Sequence, residues 1–113
     1  MSKCIFCQIA GGEVPSDIVY KDSEIVAFSD MNPEAPVHIL IVPKKHIESL
    51  NTAEPEDAAL MGRMLLTGAR LAQENKLDKG YRLVLNVGRE AGQSIDHLHF
   101  HLLGGRYLAW PPG

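Results

Sequence analysis

Three histidines stand at alternate positions in the stretch Gln93-Ser94-Ile95-Asp96-His97-Leu98-His99-Phe100-His101-Leu102-Leu103-Gly104-Gly105. Imidazole is a nucleophile, a proton carrier and a metal ligand near neutral pH, so a row of three points to chemistry rather than packing. An extended chain sends successive side chains to opposite faces. His97, His99 and His101 would then share one face while Leu98, Phe100 and Leu102 enter a core. A helix would scatter the imidazoles around its circumference, so the period of two predicts a strand. A metal site and a phosphoryl-transfer site are both compatible with such a row. The plain alternative is polar histidines on a solvated sheet face.

Further chemistry-bearing residues lie elsewhere in the chain. Cys4-Ile5-Phe6-Cys7 is a Cys-x-x-Cys pair. Redox pairs of this spacing sit between a strand and a helix, and no strand is expected before Cys4. Half of a zinc site is the better reading, if two more ligands arrive from elsewhere; two buried thiols are the plain one. His38 stands alone in the apolar run Val37-His38-Ile39-Leu40-Ile41-Val42-Pro43, and His46 follows just past it. A lone strand histidine is commonly a satisfied core residue, but here a second segment carries three more. If the two segments are neighbours, His38, His97, His99 and His101 converge on one site, with His46 at its edge.

The elements that must position these residues are legible from pattern. Residues 5–10 suit a short helical turn, stopped by Gly11-Gly12. Asp17 to Tyr20 and Ile25 to Phe28 flank a polar turn and predict a β-hairpin, with Asp30 at its exit. Val37 to Pro43 reads as a buried strand. Glu54-Pro55-Glu56-Asp57 has helix-start chemistry, proline and acids at the positive end of the dipole. The helix is expected to run to about Asn75, with Ala58, Met61, Leu65, Ala69 and Ala72 as its buried stripe. Arg82 to Gly88 predicts another strand, and the glycine-bounded turn after it would set Asn86 beside the histidine segment in an antiparallel pair. The tail Trp110-Pro111-Pro112-Gly113 is apolar and stiff, and is expected to pack on its own domain or on a partner subunit.

Bulk properties bound the function. The 113 residues predict one domain, 1–113, and 45% hydrophobic with 22% charged residues is ordinary for a globular protein. A net charge of -3, with no basic cluster beyond Lys44-Lys45, argues against a nucleic-acid polymer as partner but permits a small nucleotide. No apolar run approaches membrane-spanning length, and no signal peptide is visible, so a cytoplasmic protein with reduced cysteines is expected.

The His-x-His-x-His pattern followed by two apolar residues resembles the histidine triad (HIT) family. Phe28 to Ile47, including Ala35-Pro36-Val37-His38 and Pro43-Lys44-Lys45-His46, is similar to that family's first sequence block. Asn86, Gly92-Gln93-Ser94 and Trp110-Pro111-Pro112-Gly113 resemble its Hint branch. The resemblance implies an α+β fold with a five-stranded antiparallel sheet, one long and one short helix. It also implies a homodimer with a ten-stranded sheet, the tail of each chain near its partner's active site. The implied activity is hydrolysis of purine nucleoside 5′-phosphoramidates, releasing a monophosphate such as AMP through a nucleotidyl-histidine intermediate, with no metal in the chemistry.

In that scheme His99 is the nucleophile, His101 holds phosphate oxygens, and His38 orients the triad. Ser94 bonds the phosphate or leaving amine, Asp30 accepts from the ribose hydroxyls, and Asn86 and Gln93 complete the phosphate and ribose contacts. A neutral His99 needs its second ring nitrogen protonated, with a backbone carbonyl as the expected acceptor. Bacterial-type relatives with an N-terminal Cys-x-x-Cys imply a structural zinc held by Cys4, Cys7, His46 and His97, in which His97 orients the triad from the metal. Three other readings compete: a dinucleoside polyphosphate hydrolase, a nucleotide-binding module, and a metal protein using His97, His99 and His101 as ligands.

Overall fold

The structure, a computed structural model, describes residues 3–113. Five strands form one antiparallel sheet in the order β1-β2-β3-β5-β4: β1 Ile18–Lys21, β2 Ile25–Ser29, β3 Val37–Pro43, β4 Tyr81–Leu85 and β5 Phe100–Gly104. The β1–β2 hairpin forms where the pattern places it. Its turn is held by the Asp22 carboxylate, whose Oδ1 accepts from the amides of Glu24 and Ile25 at 2.8 Å each. A short helix, α1 (Ile5–Ala10), and a long one, α2 (Ala58–Glu74), lie on opposite faces.

Alternation along the strands builds two cores. Ile25, Ala27, Ile39, Ile41, Phe100 and Leu102 pack against Leu60, Met64, Leu71 and Ala72 of α2. Val26, Phe28, Leu40 and Val42 point the other way, against Phe6, Ile9 and Ala10 of α1. Leu98 also joins the α2 side, so the apolar half of the histidine stretch is buried as its period predicts.

Three expectations are corrected. The histidine strand is shorter than its pattern: β5 begins at Phe100, and of the three histidines only His101 lies on it. Phe100 pairs with Ile41 and with Leu85; β4 ends at that pair, and although β3 runs on to Pro43 its pairing with β5 stops at Ile41. Instead the Leu98 amide donates to the Ile47 carbonyl at 2.7 Å. For the same reason the strand expected over 82–88 stops at Leu85, leaving Asn86 just beyond it.

The stripe of α2 is rotated from the expected one. Leu60, Met64, Thr67, Gly68, Leu71 and Ala72 are buried, whereas Ala58 is exposed and Leu65 is 45% exposed. Close approach decides this. A Cβ at Gly68 would stand 2.8 Å from Leu83 Cδ2 and 3.2 Å from Ile41 Cδ1, so the side facing the sheet must be small there. The helix itself starts as expected, through a single 3-10 turn at Pro55–Asp57. Buried Asp57 accepts from the Glu54 amide at 2.9 Å and pairs with the Lys45 ammonium at 2.7 Å.

Candidate functional site

The face of the sheet under α1 carries the histidines. In β3–β5 register His38 lies opposite Leu103, and His101 opposite Leu40, which brings the two imidazoles from neighbouring strands to 5.2 Å between centroids. His99 follows at 5.0 Å from His101, and the ring of Phe6 stands edge-on to both His99 and His97. The imidazoles therefore form the expected row, although two of them precede the strand. His38, His97 and His99 are buried.

Each ring is oriented by a fixed partner. His99 Nδ1 lies 2.7 Å from the His97 carbonyl, to which it can only donate, so its proton is on Nδ1 and the lone pair on Nε2. Burial pushes His99 below the ordinary histidine range, keeping it neutral at pH 7. No described buried side-chain nitrogen or oxygen lacks a partner, and Nε2 of His99 has none among the described residues, so that lone pair is open to solvent. His101 is pushed down to about 4, by burial first and then by the His99 and His38 rings. Asp30 leaves β2, bonds its own turn through the Asn32 amide at 2.8 Å, and places Oδ2 3.4 Å from His38 Nε2.

Other expected contacts sit at the rim. Ser94 is exposed on the loop before the triad, and half-buried Asn86 has its amide near Gly92. Gln93 is put to a different use from the expected one. It is 5% exposed, its Nε2 donates to the carbonyls of Glu48 and Ile95, and its Oε1 accepts from the Gly88 amide. All three bonds brace the loop carrying Ser94. The carbonyl of His97 is the backbone acceptor expected behind His99, whereas Phe6 and the carbonyl of Pro43 are not foreseen from the sequence. The signal for Phe6 is an aromatic inside Cys-x-x-Cys; the Pro43 carbonyl leaves none in the sequence.

A second cluster forms below the first. Cys4 Sγ and Cys7 Sγ lie 3.3 and 3.4 Å from His97 Nδ1, and His46 Nδ1 lies 3.3 Å from Cys7 Sγ and 3.2 Å from His97 Nδ1. Cys4 is also the N-cap of α1, its sulfur accepting from the Cys7 amide. His97 Nε2 donates to the Pro43 carbonyl at 2.8 Å, so Nδ1 presents a bare lone pair to two sulfurs and a nitrogen. One lone pair cannot satisfy three such neighbours, but a central cation satisfies all four donors. A tetrahedral Zn²⁺ with bonds of about 2.0–2.3 Å has edges of roughly 3.3–3.8 Å, close to these separations. These four residues could hold a metal ion.

Fold and site together are those of an α+β chain carrying an imidazole row on an antiparallel sheet. Residues 3–109 match the family model described as Scavenger mRNA decapping enzyme C-term binding. The chain is 52% identical over 109 residues to an uncharacterized HIT-like protein of Synechococcus elongatus, covering 96% of each. A HIT family hydrolase from Legionella pneumophila superimposes with a TM-score of 0.96 at 48% identity, over 98% of this chain and 100% of that one. A zinc-bound histidine triad family protein from Mycobacterium smegmatis is similar at a TM-score of 0.80 and 32% identity, over 92% of this chain and 76% of that one. The chain belongs to the histidine triad family.

Proposed function

We propose that the protein hydrolyses nucleoside 5′-phosphoramidates, using His99 as a covalent nucleophile. The observation that carries this reading is the 2.7 Å contact of His99 Nδ1 with the His97 carbonyl, which leaves Nε2 unprotonated and facing out. That nitrogen attacks phosphorus, the P–N bond breaks, and the leaving amine takes a proton from solvent. Water then attacks the nucleotidyl-histidine, the P–Nε2 bond breaks, and the nucleoside monophosphate departs with His99 restored. Throughout, the His97 carbonyl supports the charge on the ring. His101 donates to a phosphoryl oxygen, Ser94 serves the phosphate or the leaving group, and Asp30 receives the ribose diol, with Asn86 closing the phosphate side.

In this reading zinc is structural. Cys4, Cys7, His46 and His97 would hold it, and the ion would tie α1 to the triad segment while taking no part in the reaction. The protein acts as a homodimer in which β4 pairs with its twofold copy to give ten strands. The Trp110 tail lies by the partner's active site.

The test is release of AMP from adenosine 5′-phosphoramidate by the purified protein without added metal, beside His99→Ala. The parent is expected to turn over and the variant to lose about 10³-fold or more. Binding of AMP with no release would sink the reaction for this substrate. Dinucleoside polyphosphates would be tried next, and a binding module would remain if they too are untouched.

A further inference from the structure

Two side-chain clusters in this protein have nearly the same spacing. Cys4, Cys7, His46 and His97 bring their donor atoms within 4.8 Å of one another, and so do Asp30, His38 and His101. By distance alone both could hold a cation. The backbone groups behind the histidines separate them.

Behind His97 stands a carbonyl, that of Pro43, which takes the Nε2 proton and turns a lone pair toward the cysteines. Behind His38 stands an amide. The Glu34 N–H donates to His38 Nδ1 at 3.0 Å, consuming the lone pair there. A neutral His38 must then carry its proton on Nε2, the atom that faces the second cluster. That N–H has two acceptors in reach, His101 Nδ1 at 2.9 Å and Asp30 Oδ2 at 3.4 Å. Into the first cluster His97 turns a lone pair; the second already holds a proton. His101 Nδ1 can only accept, so the His101 proton sits on Nε2. That nitrogen has no partner among the described residues and, with no described buried nitrogen left unsatisfied, opens to solvent.

We infer that the Glu34 amide, acting through His38, locks His101 as a neutral Nε2–H donor, and that Asp30 is the positioning residue whose carboxylate keeps the His38 proton on Nε2. His101 then stabilises phosphoryl charge by hydrogen bonding and does not act as an acid, since a second proton at Nδ1 would collide with that of His38. The functional assignment of His101 rests on the phosphate-site reading above; the tautomer assignment does not. The surroundings agree. Burial holds His101 down at about 4, with the rings of His99 and His38 acting in the same direction and Asp30 opposing. Across β4 the facing residue is Val84, and Arg82 on that strand is turned onto the tail carbonyls of Leu108 and Ala109. From α1, the neighbouring ring is the uncharged Phe6, packed on His99.

The test is long-range ¹⁵N–¹H imidazole spectroscopy of the labelled full chain, without substrate, between pH 7.5 and 5.5. At pH 7.5 His38 and His101 are both expected in the Nε2–H form, and His101 is expected to be still neutral at pH 5.5, where an ordinary histidine is mostly protonated. Excess Zn²⁺ should leave both patterns unchanged. An Nδ1–H form of His101, an imidazolium at neutral pH, or a His38 Nε2 that loses its proton to added zinc would overturn the inference. In His38→Phe the His101 signal should shift toward mixed tautomers, and an unchanged signal would remove His38 from the role. Should that variant not fold, the parent spectra still decide. Because the resting protein is observed, an inactive enzyme with these tautomers would fail only the proposed reaction.

Discussion

His97, His99, His101 and His38 each hold one ring nitrogen against a different fixed partner: a proline carbonyl, a neighbouring carbonyl, a second imidazole and an amide. Four residues of one type thereby receive distinct roles, and the same partners set how the protein responds to acid. The native value of His101, about 4, lies below the roughly 6.5 of an unfolded chain. Between those values the unfolded chain binds a proton that the native state refuses, so stability rises with pH. The contribution of His101 is complete above about pH 6.5 and drains away as pH falls toward 4. His101→Gln keeps an acceptor for His38 and removes the titration. Thermal melts at pH 7 and pH 5 should therefore show a smaller acid-induced drop in the variant than in the parent. Equal drops would place the acid sensitivity elsewhere, for instance in His97, which burial also holds below the ordinary range and which both proteins share.

At the scale of elements, α1 is six residues long, too short to persist without tertiary support. Its apolar side is supplied by Phe6, Ile9 and Ala10, and its N-terminus by the cysteine–histidine cluster. Metal analysis should find one zinc per chain, lost in Cys4→Ser and kept in His99→Ala. With zinc at 100 times its dissociation constant the native state gains about 2.7 kcal/mol, so Cys4→Ser should melt visibly lower. Zinc retained in Cys4→Ser, or lost only in His99→Ala, would move the ion to the triad. On the opposite face Gly68→Leu would force a side chain into Leu83 and Ile41. A loss of about 1–3 kcal/mol is expected, read as a lower denaturation midpoint with an unchanged slope. The same glycine explains what the sequence concealed. Alternation across Leu98, Phe100 and Leu102 was readable because large apolar residues mark the buried side. The stripe of α2 was not, because its sheet-facing side contains Thr67 and Gly68 while Leu65 and Leu66 face outward. Gln93 enters the sequence reading through the family resemblance as a phosphate and ribose contact, and nothing in the sequence shows the bonds its side chain makes to Gly88 and Ile95 of its own loop and to Glu48 beyond β3.

At the scale of the whole molecule, the sheet has two edges, and they are built differently. The register of β1 with β2 shifts between Ile18 and Tyr20, and the strand ends on exposed Lys21, features that discourage a further strand. β4 runs in unbroken register with β5 from Tyr81 to Leu85, and its Leu83, Val84 and Leu85 are only half-buried. Strand addition at β4 about a twofold axis would pair that edge and cover both its faces. Leu66 of α2 is 71% exposed and Trp110 80% exposed, apolar surface that a second copy would cover. The tail is also tethered to this edge, since Arg82 of β4 donates to the Ala109 carbonyl at 3.0 Å. Sedimentation equilibrium of the parent should give twice the 12.4 kDa chain mass. Leu66→Glu, which would bury a carboxylate without a partner, should shift the protein toward the monomer. If the tail completes the partner's site, deleting residues 110–113 should lower turnover with the dimer intact, and Leu66→Glu should lower it to a similar degree by separating the subunits. A monomeric parent would overturn the twofold arrangement, whereas a dimer untouched by Leu66→Glu would move its contact away from α2.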